Sequence, residues 1–187
     1  MKTLQSDMAR GSTQRADAVL HGFALSIWCM ISFELITHVL AHIYSISRDD
    51  DLLGGMWAVV ATIFVYRYSR AQSLSAALSR TSATLLSFVL CLAYLLILPF
   101  HLLGMAGLIG IGAVVMTLIG RPDDIITTGI TTAVVMVVAG ISPLHAWLQP
   151  ILRLVDTAVG IAVGVVASWV SLKVASNFHA NTDLIAG

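Results

Sequence analysis

Two short patterns hold the residues best suited to binding an anion. Arg80 is followed by Thr84 and Ser87, and Arg153 by Asp156, Thr157 and Gly160. Both read arginine, three residues, threonine, two residues, small residue. A guanidinium stays charged at physiological pH and offers parallel N–H donors that match a carboxylate. Thr84 and Thr157 add hydroxyl donors one helical turn further on, or close a backbone turn. Asp156 shares a helix face with Arg153 and can pair with it. That pair would either hold Arg153 in place or open when a substrate carboxylate competes. Trp57 is read as an anchor in the outer interfacial belt or as a stacking platform for an aromatic substrate.

A second constellation is Glu34, His38 and His42, spaced four residues apart. On a helix they form one polar stripe. Histidine titrates near neutral pH, so the stripe could relay protons. It could also pack between protomers. Zinc binding is the weakest reading, because three ligands on one straight helix spread over two turns and seldom close a site. No metal and no cofactor are expected. The cysteines Cys29 and Cys91 have no metal or redox spacing, and no nucleophile triad or phosphate loop is present.

The elements that must position these residues follow from composition. The chain has 187 residues, 58% of them hydrophobic and 11% charged, with zero formal net charge and a mean hydropathy of +0.91. Soluble domains carry about 25% charged residues, so this surface is built for lipid. A helix of roughly 20 residues crosses the hydrocarbon core. Long apolar runs without strict alternation predict helices rather than a barrel. The six predicted spans are Val19–Tyr44, Leu52–Tyr66, Arg80–Leu98, His101–Ile119, Ile125–Ile141 and Ile151–Lys173. Residues 1–18 read as a cytoplasmic segment without a cleavable signal, 19–173 as the membrane domain, and 174–187 as a cytoplasmic polar tail. No basic stretch interleaved with aromatics appears, which sets nucleic-acid binding aside.

With the N-terminus inside, lysine and arginine concentrate on the cytoplasmic side, and Arg48 and Arg153 are the exceptions. Both termini are therefore expected in the cytoplasm. Three predicted helices precede the midpoint and three follow it, so the two arginine patterns begin at opposite faces. This predicts an all-α polytopic fold of two inverted three-helix repeats, with short second and fifth helices at matching positions. Small residues on the fourth helix (Gly104, Gly107, Gly110, Gly112) and on the sixth (Gly160, Gly164, Ser168) predict close helix packing or dimer contact.

The run Met56-Trp57-Ala58-Val59-Val60-Ala61-Thr62, then Ser69-Arg70, then Arg80 and Thr84, resembles the fusaric acid resistance and aromatic acid exporter family. The later Arg153, Asp156, Thr157 and Gly160 resemble the end of that family's membrane module. The plant aluminium-activated malate transporters are similar in architecture. The resemblance covers about Leu52 to Lys173. It implies a six-helix module that moves organic anions across the bacterial inner membrane and pairs as a homodimer or higher oligomer. It also implies a periplasmic adaptor as a candidate partner. The sequence departs from the family at Ser87, where glycine is usual, and in the short tail where long members have a soluble domain.

The function expected is therefore transport, in the export direction, of organic and especially aromatic carboxylates. Arg80, Arg153, Thr84, Thr157, Asp156 and Trp57 would bind the substrate, and Glu34, His38 and His42 would couple it to protons. A non-transporting scaffold subunit and a membrane metalloenzyme are the competing readings.

Overall fold

The computed structural model describes residues 2–40, 42, 47–143 and 146–186, with side chains described over 18–40, 42, 47–143 and 146–174. The described residues are mostly helical and include no strand. Six long helices follow one another among them: α1 (Lys2–Glu34), α2 (Arg48–Val65), α3 (Arg70–Leu95), α4 (Leu102–Leu118), α5 (Ile125–Ile141) and α6 (Leu148–Ala186). A π-helical turn, Leu35–Leu40, extends α1, and a 3-10 turn, Pro122–Asp124, leads into α5.

By length and apolar content, four segments can cross a membrane: Ala18–Leu40, Arg70–Leu95, Pro122–Ile141 and Leu148–Val174. Leu102–Leu118 is a shorter apolar helix. α2 opens with Arg48, Asp49, Asp50 and Asp51 and has its apolar run after them. Ser47 caps it, accepting from the Asp50 amide at 3.1 Å. Three carboxylates in the first turn also suit the positive end of the helix dipole.

The predicted boundaries need four corrections. The α1 helix extends back to Lys2, although its apolar span begins at Ala18, within a residue of the predicted Val19, and the predicted end at Tyr44 lies outside the described residues. α2 begins at Arg48 rather than Leu52. The polar stretch 69–79 is helix, not a link: Ser69 caps α3 by accepting from the Gln72 amide at 3.2 Å, so Arg80 sits ten residues inside the helix rather than opening it. Serines of this stretch line a polar cavity, so it lacks the apolar content by which a span is recognised. The predicted tail continues α6 to Ala186. The fourth and fifth helices agree with their predicted bounds to within a residue. Gly120, with φ of +76°, makes the turn between them in a conformation that favours glycine.

α6 is the central element, packed most extensively on α2 and α3, while α3 also packs on α5 and α5 on α4. Small residues allow the closest approach. A Cβ placed on Gly160 would stand 2.3 Å from the Ala58 carbonyl oxygen, and one on Gly164 2.9 Å from the Val65 Cβ and 3.1 Å from the Thr62 carbonyl oxygen. Thr62 uses that closeness, donating toward the Gly160 carbonyl at 3.1 Å. On the other side of the bundle Ser87 of α3 donates to the Thr128 carbonyl of α5 at 3.1 Å, and Cys91 faces the Thr132 carbonyl. Lateral packing is apolar around Cys91, Leu95, Leu108, Val135, Met136 and Ala139.

Candidate functional site

A cavity of about 700 Å³ opens where α2 ends, α3 begins, α4 ends and α5 begins. Phe64, Arg67, Gln72, Ser75, Ser79, Arg80, Arg121, Asp123, Asp124 and Thr127 line it. Its wall therefore carries three guanidinium groups, an aromatic ring and several hydroxyls.

Arg80 is the deepest of the three cations, only 2% exposed. Its guanidinium carbon lies 5.3 Å from the centre of the Trp57 ring and 5.1 Å from that of Phe64. Two aromatic rings thus hold it through cation–π contact. Among the described residues no carboxylate pairs with it, and its Nε and Nη2 have no hydrogen-bond partner. A buried cation with unused paired donors is a ready acceptor for an anion entering the cavity.

Asp124, on the same wall, is committed elsewhere. It is 5% exposed, pairs with Arg121 at 2.9 Å and accepts from the hydroxyls of Ser79 and Ser82, the latter at 3.2 Å. It thereby ties the start of α5 to α3 along the cavity wall. Sequence reasoning missed Asp124 and Ser79, and it read Arg121 as a headgroup anchor. Their one signal is polar residues at a turn, which ordinarily read as solvated.

Arg153 is equally buried, at 1% exposure, but its setting differs. Its Nη1 stands 3.3 Å from Oδ2 of Asp156, itself 2% exposed. The predicted pair therefore forms. Gly54 of α2 makes room for it: a Cβ there would stand 2.8 Å from the Asp156 Oδ1. Asp50, in the acidic first turn of α2, accepts from the buried Gln149 of α6 at 3.0 Å. Arg153 and Asp156 thus lie toward the start of α2 and do not line the cavity.

Three further buried polar atoms of the helices that carry these arginines and of α2 have no hydrogen-bond partner: Trp57 Nε1, Thr84 Oγ1 and Thr157 Oγ1. Buried polar groups are ordinarily satisfied, and each exception needs an explanation. Trp57, read as an interfacial anchor or a stacking platform, is 4% exposed, with the Arg80 guanidinium of α3 over its ring.

Glu34 and His38 form an ion pair at 3.1 Å with both side chains largely exposed, at 60% and 72%. His42 Nδ1 hydrogen-bonds the His38 carbonyl. None of the three lines the cavity. The π-helical turn also breaks the even four-residue stripe expected of a regular helix. Among the described residues no three His, Cys, Asp or Glu side chains converge as a metal ion would require.

A family model described as fusaric acid resistance protein-like matches residues 31–167. The chain belongs to the fusaric acid resistance protein-like family. No curated protein and no solved structure gives a significant match. The family region takes in the end of α1, all of α2 to α5 and α6 through Ala167, so it contains Arg80, Arg153, Asp156 and the cavity. Membership and the apolar helices make this a multi-pass membrane protein, with a membrane transport or resistance role.

Proposed function

We propose that the protein moves organic carboxylates across the bacterial inner membrane, in the export direction, with Arg80 as the site that captures the carboxylate. The observation that carries this is the Arg80 guanidinium: buried, held by two rings, without a carboxylate partner among the described residues, and on the wall of a 700 Å³ cavity. Phe64 contributes its ring to the same cavity, which favours a substrate with an aromatic body beside its carboxylate.

All six helices span the membrane in this reading, with both termini and the cavity mouth in the cytoplasm. Arg67 and Arg121 line that mouth, as the positive-inside rule demands. The two halves are inverted repeats. Arg80, Thr84, Ser87 and Cys91 correspond at one constant offset to Arg153, Thr157, Gly160 and Gly164. Ala58 and Thr62 of α2 correspond at another constant offset to Thr128 and Thr132 of α5. The contacts obey the same exchange: Gly160 and Gly164 approach the carbonyls of Ala58 and Thr62, and Ser87 and Cys91 approach those of Thr128 and Thr132.

The repeats are chemically unequal. Asp156 accompanies Arg153, while the position matching it beside Arg80 is Ala83. Arg80 is thus the cation left for substrate. The exposed Glu34–His38 pair on a lipid-facing helix supports a homodimer in which a second copy covers it. Uptake of a panel of aromatic and aliphatic carboxylates into proteoliposomes tests the function. Saturable flux that vanishes in Arg80→Gln supports it, and flux equal to empty liposomes sinks it.

A further inference from the structure

We infer that Asp156 is a proton-binding site coupled to the anion, so that a carboxylate reaching Arg153 is accompanied by a proton on Asp156. This rests on the transport reading above and adds its coupling chemistry, in place of the exposed Glu34–His38 pair.

Asp156 is joined to the cavity through α2. Trp57 touches Arg80, and one turn earlier Gly54 touches the Asp156 carboxylate. Thr84 and Thr157, each one turn after Arg80 and Arg153 on the two helices packed against α2, carry buried hydroxyls without a hydrogen-bond partner. A carboxylate leaving Arg80 along this seam meets donors that the fold itself does not use. It ends at Arg153, where Asp156 already stands. Two carboxylates cannot share one buried guanidinium without strong repulsion. A proton on Asp156 removes that repulsion: an O–H bond forms on the carboxyl, the anion takes the guanidinium, and the site stays neutral.

The geometry around Asp156 suits this. Its Oδ2 faces Arg153 Nη1 at 3.3 Å without a hydrogen bond, and it receives the proton as the anion takes its place on the guanidinium. The charged groups that act on it are Arg153 on its own helix and Asp50 and Asp51 on α2. Asp50 and Asp51 add to the negative charge that an arriving anion meets. Among the other helices packed on α6, α3 carries Arg80 against its two rings, α5 is preceded by Asp124, held by Arg121 and two serines, and α1 carries Glu34 on its exposed side. The proton enters from water at the acidic turn Asp49–Asp51, whose Asp50 bonds Gln149 one turn before Arg153.

Electrostatics sets the sign of the coupling. Anion and proton favour each other at this pair, so they bind together and cross in the same direction. Export is then driven by the outward gradient of accumulated carboxylate.

The test uses the purified full chain in detergent and in liposomes, with benzoate as the probe. Wild type is expected to take up protons from weakly buffered solution when benzoate binds, and to show an infrared band of a protonated carboxylic acid. An inward proton gradient should accelerate benzoate uptake beyond the passive entry of benzoic acid measured in empty liposomes under the same gradient. Asp156→Asn should lose the band, the proton uptake and the response to the gradient. Should that variant misfold, the wild-type proton uptake and infrared band still decide the coupling. Benzoate flux in wild type without proton uptake, or a band that persists in Asp156→Asn, overturns the coupling alone. Absence of flux for every carboxylate tried overturns the transport reading and this inference with it.

Discussion

The guanidinium carbon of Arg80 stands 5.3 Å from the centre of the Trp57 ring, on a cavity wall where no carboxylate among the described residues answers it. Charge and geometry are therefore both available to a ligand. Arg80→Gln is expected to abolish carboxylate flux while costing little stability. It removes two cation–π interactions, each about 0.5–2 kcal/mol. It also ends the burial of an unpaired charge, which offsets that loss. Arg80→Lys should recover only part of the flux, since an ammonium cannot make the paired contact. Proteoliposome flux set against thermal unfolding of the same preparations checks both statements. A large fall in unfolding temperature for Arg80→Gln would recast Arg80 as structural.

Arg153 should behave in the opposite way. Removing one partner of a buried ion pair leaves the other charge uncompensated, at a cost of about 3–5 kcal/mol. Arg153→Ala is therefore expected to reduce the yield of monodisperse protein sharply. Arg153→Leu combined with Asp156→Leu should restore much of that yield without restoring flux. Size-exclusion profiles of the single and double variants decide it. The sequence pattern alone treats the two arginines as equivalents, and Gly54 and Asp156 are what separate them.

That contrast marks how far the sequence was legible. α4 and α5 could be bounded closely because glycine and proline punctuate apolar runs there. α3 and α6 were truncated, since their polar first or last turns lack the apolar period that marks a span. The Arg153–Asp156 pair was readable from its three-residue spacing, which a helix converts into contact. The stacking of Arg80 on Trp57 was not, because it depends on how α2 lies against α3. The cavity, with Asp124 on its wall, depends on four helix ends converging, and no local pattern encodes that.

The small residues of α6 and α4 make a paired prediction. Gly160→Ala would drive a methyl group to 2.3 Å from the Ala58 carbonyl oxygen, a backbone atom that cannot turn aside. Overpacking of this kind costs about 1–3 kcal/mol. Gly107 and Gly110 meet nothing within 4 Å, so alanine there should be neutral or stabilising through helix propensity. Thermal unfolding in one detergent compares them directly. Equal losses at Gly160 and Gly107 would mean that α4 is also covered in the assembled protein.

Glu34→Gln and His38→Gln remove the exposed ion pair without touching the cavity. Flux per folded molecule, and its dependence on the proton gradient, are expected to be unchanged in either variant. A lost gradient response in Glu34→Gln would return proton coupling to α1 and away from Asp156. Any effect should appear instead in the oligomeric state, read by light scattering in detergent.

Asp124 separates stability from binding at the cavity. It accepts from Ser79 and Ser82 and pairs with Arg121, whose side chain is 38% exposed. Solvent screens that ion pair, leaving about 0–1 kcal/mol. Hydrogen bonds to a buried carboxylate contribute about 1.5–3 kcal/mol each. The serines therefore dominate, and Ser79→Ala should destabilise more than Arg121→Gln. Asp124→Asn keeps the shape and an acceptor, so it should cost less than Asp124→Ala. It also removes a negative charge from a wall that holds Arg67, Arg80 and Arg121. The cavity then becomes more electropositive, and the carboxylate concentration for half-maximal flux should fall. A rise in that concentration would place Asp124 among the groups that position the substrate, rather than among those that only hold α5 against α3.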